Sequence, residues 1–260
     1  MLGQIFAHEG EEEELPVSPL GETLEQRITG ISFLGLELAT GLALFLIILS
    51  VFWKNKTEKA KWFLYLGIAV PIVLATLFLA ASTVYLNITS VTGGPVHWHA
   101  DFQVWVCGKE LDLIDPTGIA NRVGSPVFHE HGDDRIHLEG VVTNLADASL
   151  SKFFGFVGGE LHDDHLIFPT NEKLYRFDNG DLCSDGKAGT LQAFVWKTDE
   201  DKGEFYQEKL MEPEDYVISP HGKVPPGDCL IIEFGEEKDR TEKLCSFYKV
   251  AEQKGDLKRR

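Results

Sequence analysis

The chain has 260 residues and a mass of 29.0 kDa, enough for one good-sized domain or two small ones. Lys and Arg total 24 against 41 Asp and Glu, a net charge of −17. That balance argues against a nucleic-acid partner, which needs a basic face, and against charge-driven docking on anionic lipid.

Residues 1–31 read as an acidic, flexible arm. It holds Arg27 against seven acidic residues, including the run at 11–14, and it carries Pro16 and Pro19. His8, among glutamates, is expected to be solvated. No basic region followed by an apolar one precedes the first long apolar stretch, so no cleavable signal peptide is expected.

Residues 32–53 and 62–86 are two long apolar stretches, the first with Glu37 as its one charged residue and the second with no charge. A bilayer core needs about 20 apolar residues as helix, and Trp or Tyr near the ends acts as an interfacial anchor. The expectation is a two-helix transmembrane hairpin over 32–86, with Pro71 kinking the second helix. The link, 54–61, carries four lysines and one glutamate. Basic short loops stay in the cytoplasm, so the link is read as cytoplasmic. The N-terminus and the large C-terminal part then lie outside a multi-pass cell-membrane protein.

All four cysteines, Cys107, Cys183, Cys229 and Cys245, fall in that exported part. An even number in an oxidising compartment implies disulfides. Three connectivities are open, and Cys183 with Cys229 is expected as one pair. No CxxC is present.

Residues 93–250 read as an extracytoplasmic mainly-β (α+β) domain, with a β-grasp-like unit expected from about 189 to 235. Residues 96–107 alternate apolar and polar, the mark of a half-buried strand. His97, His99, Asp101, Gln103 and Trp105 share one face. A short strand near 111–114 follows. Residues 127–142 read as a hairpin turning at Gly132-Asp133-Asp134. In the favoured register His129 opposes His137 and Val127 opposes Glu139, with Phe128, Ile136 and Leu138 on the other face. A short helix containing Leu150, Phe153 and Phe154 is expected, capped by Asp147 or Ser149. Further strands are expected at 166–168, 191–197, 216–219 and 229–234. A docked helix near Leu244, Phe247 and Tyr248 is followed by a frayed tail at 251–260.

Seven of the nine histidines lie between His97 and His165. In a strand, residues i and i+2 point the same way about 7 Å apart, so an HxH pair can reach one ion. His97 with His99 is one pair, and His129 with His131 is another. The hairpin adds His137. Asp101 and Glu139 share these faces as ligands or as carboxylates that orient imidazole. Neutral imidazoles with carboxylate suit a divalent ion, Zn or Cu(II) foremost. Cu(I) is disfavoured, because the only methionines are Met1 and Met211. His162 and His165 form a weaker HxxH pair in an Asp-rich loop. His221 sits in a Pro/Gly turn and is expected to be solvated. No GxSxG, HExxH, phosphate loop or dinucleotide fingerprint occurs.

The run Phe128-His129-Glu130-His131-Gly132-Asp133 resembles a shortened copper strand of copper–zinc superoxide dismutase. His97-Trp98-His99 is similar to a cupin HxH, although Asp101 follows too closely. The order HxHA, HxH, then IHxE behind apolar spans looks like uncharacterised prokaryotic membrane-anchored surface proteins, over roughly residues 95–140. That resemblance implies no activity, and it treats the histidines as one site. The expectation is a membrane-anchored extracytoplasmic metal-binding protein that handles Zn or Cu, with the lipid bilayer and the ion as partners. The alternatives are a cupin-like or dismutase-like metalloenzyme, and a structural or adhesion module whose histidines only brace the core.

Overall fold

The computed structural model describes residues 23–218 and 227–260. Most of the acidic arm, with His8, therefore lies outside the described residues, as does His221.

The apolar unit is a pair of helices, α1 (Leu24–Phe52) and α2 (Glu58–Thr89). Both run longer than the apolar stretches alone indicate, because capping extends them. Thr23 and Gln26 form a reciprocal capping box that starts α1 inside the supposed arm. Thr57 caps α2 through the Ala60 amide. The helices meet along Ala39, Ala43 and Leu46 of α1 and Leu64 and Leu86 of α2, all buried. Gly67 permits the approach: a Cβ there would lie 2.7 Å from Leu46 Cδ1. Both helices are long and apolar enough to cross a membrane.

The other unit is mixed and mainly β. Its elements, in order, begin with strands β1 (Pro95–Val106), β2 (Lys109–Leu111), β3 (Val123–Gly124), β4 (Phe128–Glu130) and β5 (Arg135–Val141). Helix α3 (Leu150–Phe156) follows, then β6 (Glu160–Leu161), β7 (His165–Pro169), β8 (Leu174–Asp178), β9 (Thr190–Asp199) and β10 (Glu204–Leu210). The last elements are β11 (Asp228–Gly235), α4 (Ser246–Lys254) and β12 (Lys258–Arg259). Among the described residues the strands form a nine-stranded sheet in the order β12-β10-β9-β11-β1-β5-β4-β3, with β2 also paired to β1. A small sheet, β6-β7-β8, stands apart from that ladder.

The strands of the second half are thus continuous with the first, and β11 pairs in parallel with β1. Among the described residues, no separate β-grasp unit stands there. The segment at 216–218 forms no strand, and Val217 makes an isolated bridge to Ser149. The C-terminal residues are docked rather than frayed. Lys258 and Arg259 pair with Glu204 and Phe205, and the Arg260 amide donates to the Phe205 carbonyl.

Alternation along β1 sends its two faces to different cores. Ala100, Phe102, Val104 and Val106 are buried on one side. There Phe102 and Phe128 pack edge-on or tilted against Phe153 of α3, with ring centroids 5.4 and 5.5 Å apart. Ser149 precedes α3, but its side chain makes no cap bond. It exchanges a hydroxyl bond with Ser151 instead.

The opposite face of β1 continues onto Cys229 and Ile231, the register partners of Asp101 and Gln103. Those residues belong to a core with Phe205, Leu244, Tyr248 and Ala251, so α4 covers that part of the face. Phe247 of α4 reaches as far as the Arg135 guanidinium, 5.7 Å from its ring centroid. The histidines lie on this same face, further along β1.

Both cysteine pairs are closed, as Cys107–Cys183 and Cys229–Cys245. The expected Cys183–Cys229 pair is therefore incorrect. Cys107 donates its amide to the Phe234 carbonyl, so Cys183 sits at the far end of β11 from Cys229. Five residues of strand separate them by about 16 Å, far beyond disulfide reach.

Candidate metal centre

Three adjacent strands build the centre. The Phe102 amide donates to the Asp134 carbonyl, and Arg135 pairs with Asp101. Further along, the rings of His99 and His137 lie 4.7 Å apart, and His97 meets Glu139. The partner number falls as the β1 number rises, so β1 and β5 are antiparallel. On the other flank of β5, His129 is the register partner of His137 and Phe128 that of Leu138. Phe128, Ile136 and Leu138 face the α3 core and are buried. Their burial fixes the register, because a one-residue slip would bury the histidines and expose this apolar row.

The five histidines expected to converge are brought together as two overlapping groups. His97, His99 and His137 form one, and His129, His131 and His137 form the other. Within each group, one ligand atom per residue lies within 4.8 Å of the others. β5 runs between β1 and β4, and the His137 ring lies 6.3, 4.7, 5.4 and 4.8 Å, centroid to centroid, from those of His97, His99, His129 and His131. Neighbouring strands lie about 4.8 Å apart, so the two HxH pairs reach His137 from opposite sides. His137 belongs to both groups.

Hydrogen bonds preset the tautomers. His131 Nδ1 is 2.5 Å from the Asn121 carbonyl, which can only accept. His131 Nδ1 therefore carries the proton, and Nε2 of the neutral ring holds a lone pair. That Nε2 lies 3.1 Å from His129 Nε2. His97 Nε2 lies 3.0 Å from Glu139 Oε1, so it donates and leaves Nδ1 as the lone-pair nitrogen. Orientation of imidazole by a carbonyl or carboxylate in this way is the usual support for a metal-ligating histidine.

His129 is 2 % exposed. Both ring nitrogens of His137 are buried without a hydrogen-bond partner among the described residues. A buried polar atom left unbonded costs roughly 1–3 kcal/mol. Lone pairs directed into a histidine cluster are relieved by a cation, so the donor set fits a divalent metal ion. Protonation is disfavoured at the same atoms. Burial holds His137 down to about 4, reinforced by His99. Burial lowers His99, helped by His97, and lowers His129, helped by His131. Burial thus favours the neutral form of His99, His129 and His137, the form that can donate a lone pair to a metal ion.

Asp101 is in neither group. Its carboxylate accepts from Arg135 Nε at 2.6 Å. Burial raises its pKa, and the Arg135 bond opposes that rise. Glu139 takes the orienting role, against His97. Three contributors carry no signal in the sequence pattern. Asp133 at the hairpin tip comes within 3.9 Å of His137 Nε2. Asn121 supplies a backbone carbonyl from a left-handed conformation, φ 47°. Glu130 points to the opposite face from His129 and His131. Its Oε1 accepts from the Asp133 and Asp134 amides, which closes the turn. His162 and His165 lie on the β6–β7 hairpin with Glu160, apart from these strands.

Compared with known proteins, the chain matches no family model, no curated protein and no solved structure.

Proposed function

We propose that this is a membrane-anchored protein whose extracytoplasmic domain binds a divalent metal ion, Zn or Cu(II), at His97, His99, His129, His131 and His137. The observation that carries this reading is His137. Its two ring nitrogens are buried and unbonded where two histidine groups meet. A histidine that only braced a core would use those nitrogens in hydrogen bonds. The role is metal handling rather than catalysis. A cavity of about 420 Å³ is lined by residues such as Cys107, Lys187, Glu233 and Lys243, and none of the histidines lines it.

Membrane anchoring is supported by apolar side chains facing outward all along α1 and α2. Leu38, Phe52, Phe63 and Leu74 are examples, each more than half exposed. A core helix of a soluble domain would bury such residues. Two closed disulfides fit an oxidising compartment. On this reading the lysine-rich link lies in the cytoplasm and the histidine domain outside.

The test is elemental analysis of the full chain purified in detergent, with zinc or Cu(II) added and the excess removed by dialysis. The wild type should retain metal and melt at a higher temperature with it than without. His137→Ala should lose most of the metal and the thermal gain. Equal metal content in the two proteins would overturn the site. Absence of metal from both would favour the structural or adhesion module.

A further inference from the structure

We propose that Glu160, His162 and His165 form a second, separate divalent-cation site at the tip of the β6–β7 hairpin. It shares no residue and no strand with the β1–β4–β5 histidines, and it does not depend on their reading.

The donors are already spaced for one ion. One ligand atom from each residue lies within 4.8 Å of the others. His165 Nε2 and Glu160 Oε2 are 3.3 Å apart. Two ligands on a tetrahedral zinc stand about 3.3 Å from each other, given bonds of about 2.0 Å. The rings of His162 and His165 stack with centroids 4.8 Å apart, which places both on the same side of the turn.

A carboxylate sets the tautomer. His165 Nδ1 lies 2.6 Å from Asp164 Oδ1. Only an N–H can donate to that oxygen, so Nδ1 holds a proton and Nε2 faces Glu160. Replacing any proton on Nε2 by a cation converts the Glu160 contact into shared coordination. The arrangement of carboxylate, imidazole and ion is the one that stiffens metal-bound histidines.

The turn is held before any ion arrives. The His162 amide donates to the His165 carbonyl. Asn179 holds the two residues between them: its amide donates to the Asp164 carbonyl, and its side-chain amide to the Asp163 carbonyl. Leu161 and Leu166, paired just below, are buried and anchor the hairpin. His162 is exposed, so the ion sits at the surface. Three protein donors leave a position for water or for an exchanging ligand. The site therefore takes up a first-row divalent ion that exchanges readily with solution, unlike the buried histidines.

The test is competition titration of zinc against a chromophoric chelator, using the full chain in detergent. In a His137→Ala background, one zinc per chain should remain, and adding His165→Ala should abolish it. Asp164→Asn should weaken this zinc 10- to 100-fold while keeping the stoichiometry. If the background variant does not fold, His165→Ala in the wild type should remove one zinc and leave the metal-free melting temperature unchanged. Zinc binding unaffected by both His165→Ala and Asp164→Asn would overturn the proposal and leave a hydrogen-bonded turn.

Discussion

His129 and His137 stack across the β4–β5 pair, with centroids 5.4 Å apart and planes 4° from parallel. They are register partners. Two protonated imidazoles at that separation, in a buried setting, would repel strongly. The pair is stable only while neutral or while sharing a cation, and acid should act on it first.

We predict that the metal-free domain loses stability between about pH 6.5 and pH 4. The folded-state pKa of His137 is depressed to about 4 from an ordinary 6.5. The unfolded chain therefore binds the extra proton in that interval, and stability falls as pH falls. Each pKa unit is worth about 1.4 kcal/mol, so His137 alone contributes roughly 3 kcal/mol. His99 and His129 are shifted in the same direction. Urea midpoints measured in chelator from pH 7.5 to 4.5 should drop, and His137→Gln should flatten the profile. A wild-type midpoint constant over this range would contradict the assignment.

Glu139 touches His97 and lies 4.0 Å from His137 Nδ1. Its carboxylate fixes which His97 nitrogen is protonated. We predict that Glu139→Gln weakens zinc or Cu(II) binding 10- to 100-fold, while the number of ions bound stays the same. Loss of a whole equivalent would instead make Glu139 a direct ligand. An unchanged affinity would remove it from the centre.

The two disulfides close loops of different length, with sequence separations of 76 and 16. Loop entropy makes the longer one worth about 4.5 kcal/mol and the shorter about 3 kcal/mol. Replacing Cys107 and Cys183 together by serine should therefore lower the unfolding free energy more than replacing Cys229 and Cys245. Non-reducing peptide mapping should find these two pairs and no labelled thiol. A peptide joining Cys183 to Cys229 would refute the pairing.

Phe153 is fully buried between Phe102, Phe128 and Phe154. It holds the face of β1 and β4 opposite the histidines. We predict that Phe153→Ala costs about 3–5 kcal/mol. Because the histidine-bearing strands rest on this packing, zinc affinity should fall with it, although no histidine changes. Chemical denaturation and zinc titration of one preparation measure both quantities.

Orientation is open to a direct assay. Protease added to intact cells should degrade the β domain and spare residues 54–61. The motive is the lysine bias of that short link. Protection of the domain with cleavage of the link would reverse the topology.

How far the sequence predicts this arrangement depends on the kind of signal. β1 is plain in the sequence, because hydropathy alternates from Val96 to Val104, even though both faces are buried at residues 100–104. The β4–β5 register follows from the same alternation. β10, Glu204–Leu210, is hidden because its sequence EFYQEKL is largely polar. It lies toward the edge of the sheet and buries Phe205 deeply. β8 holds only two buried aromatics, Tyr175 and Phe177, between charged neighbours. The disulfide pairing depends on which end of β11 each cysteine meets, a question of topology rather than of local pattern. Among the site residues, the histidines announce themselves by spacing. The Asn121 carbonyl cannot, because every residue has one, and its role arises from where the loop carries it.

The ion pair of Arg135 with Asp101 has a consequence for valence. It removes both charges from the local account, one cation against one anion, beside the histidine face. The imidazoles themselves are neutral donors. Asp133 and Glu139 then stand as the two carboxylates within 4.0 Å of His137. Their combined charge balances a dication and leaves a monovalent ion overcompensated. In a poorly solvated setting, such a mismatch is costly. On the proposed reading, the charge beside His137 would thereby favour a dication over a monovalent ion before ligand geometry selects among metals.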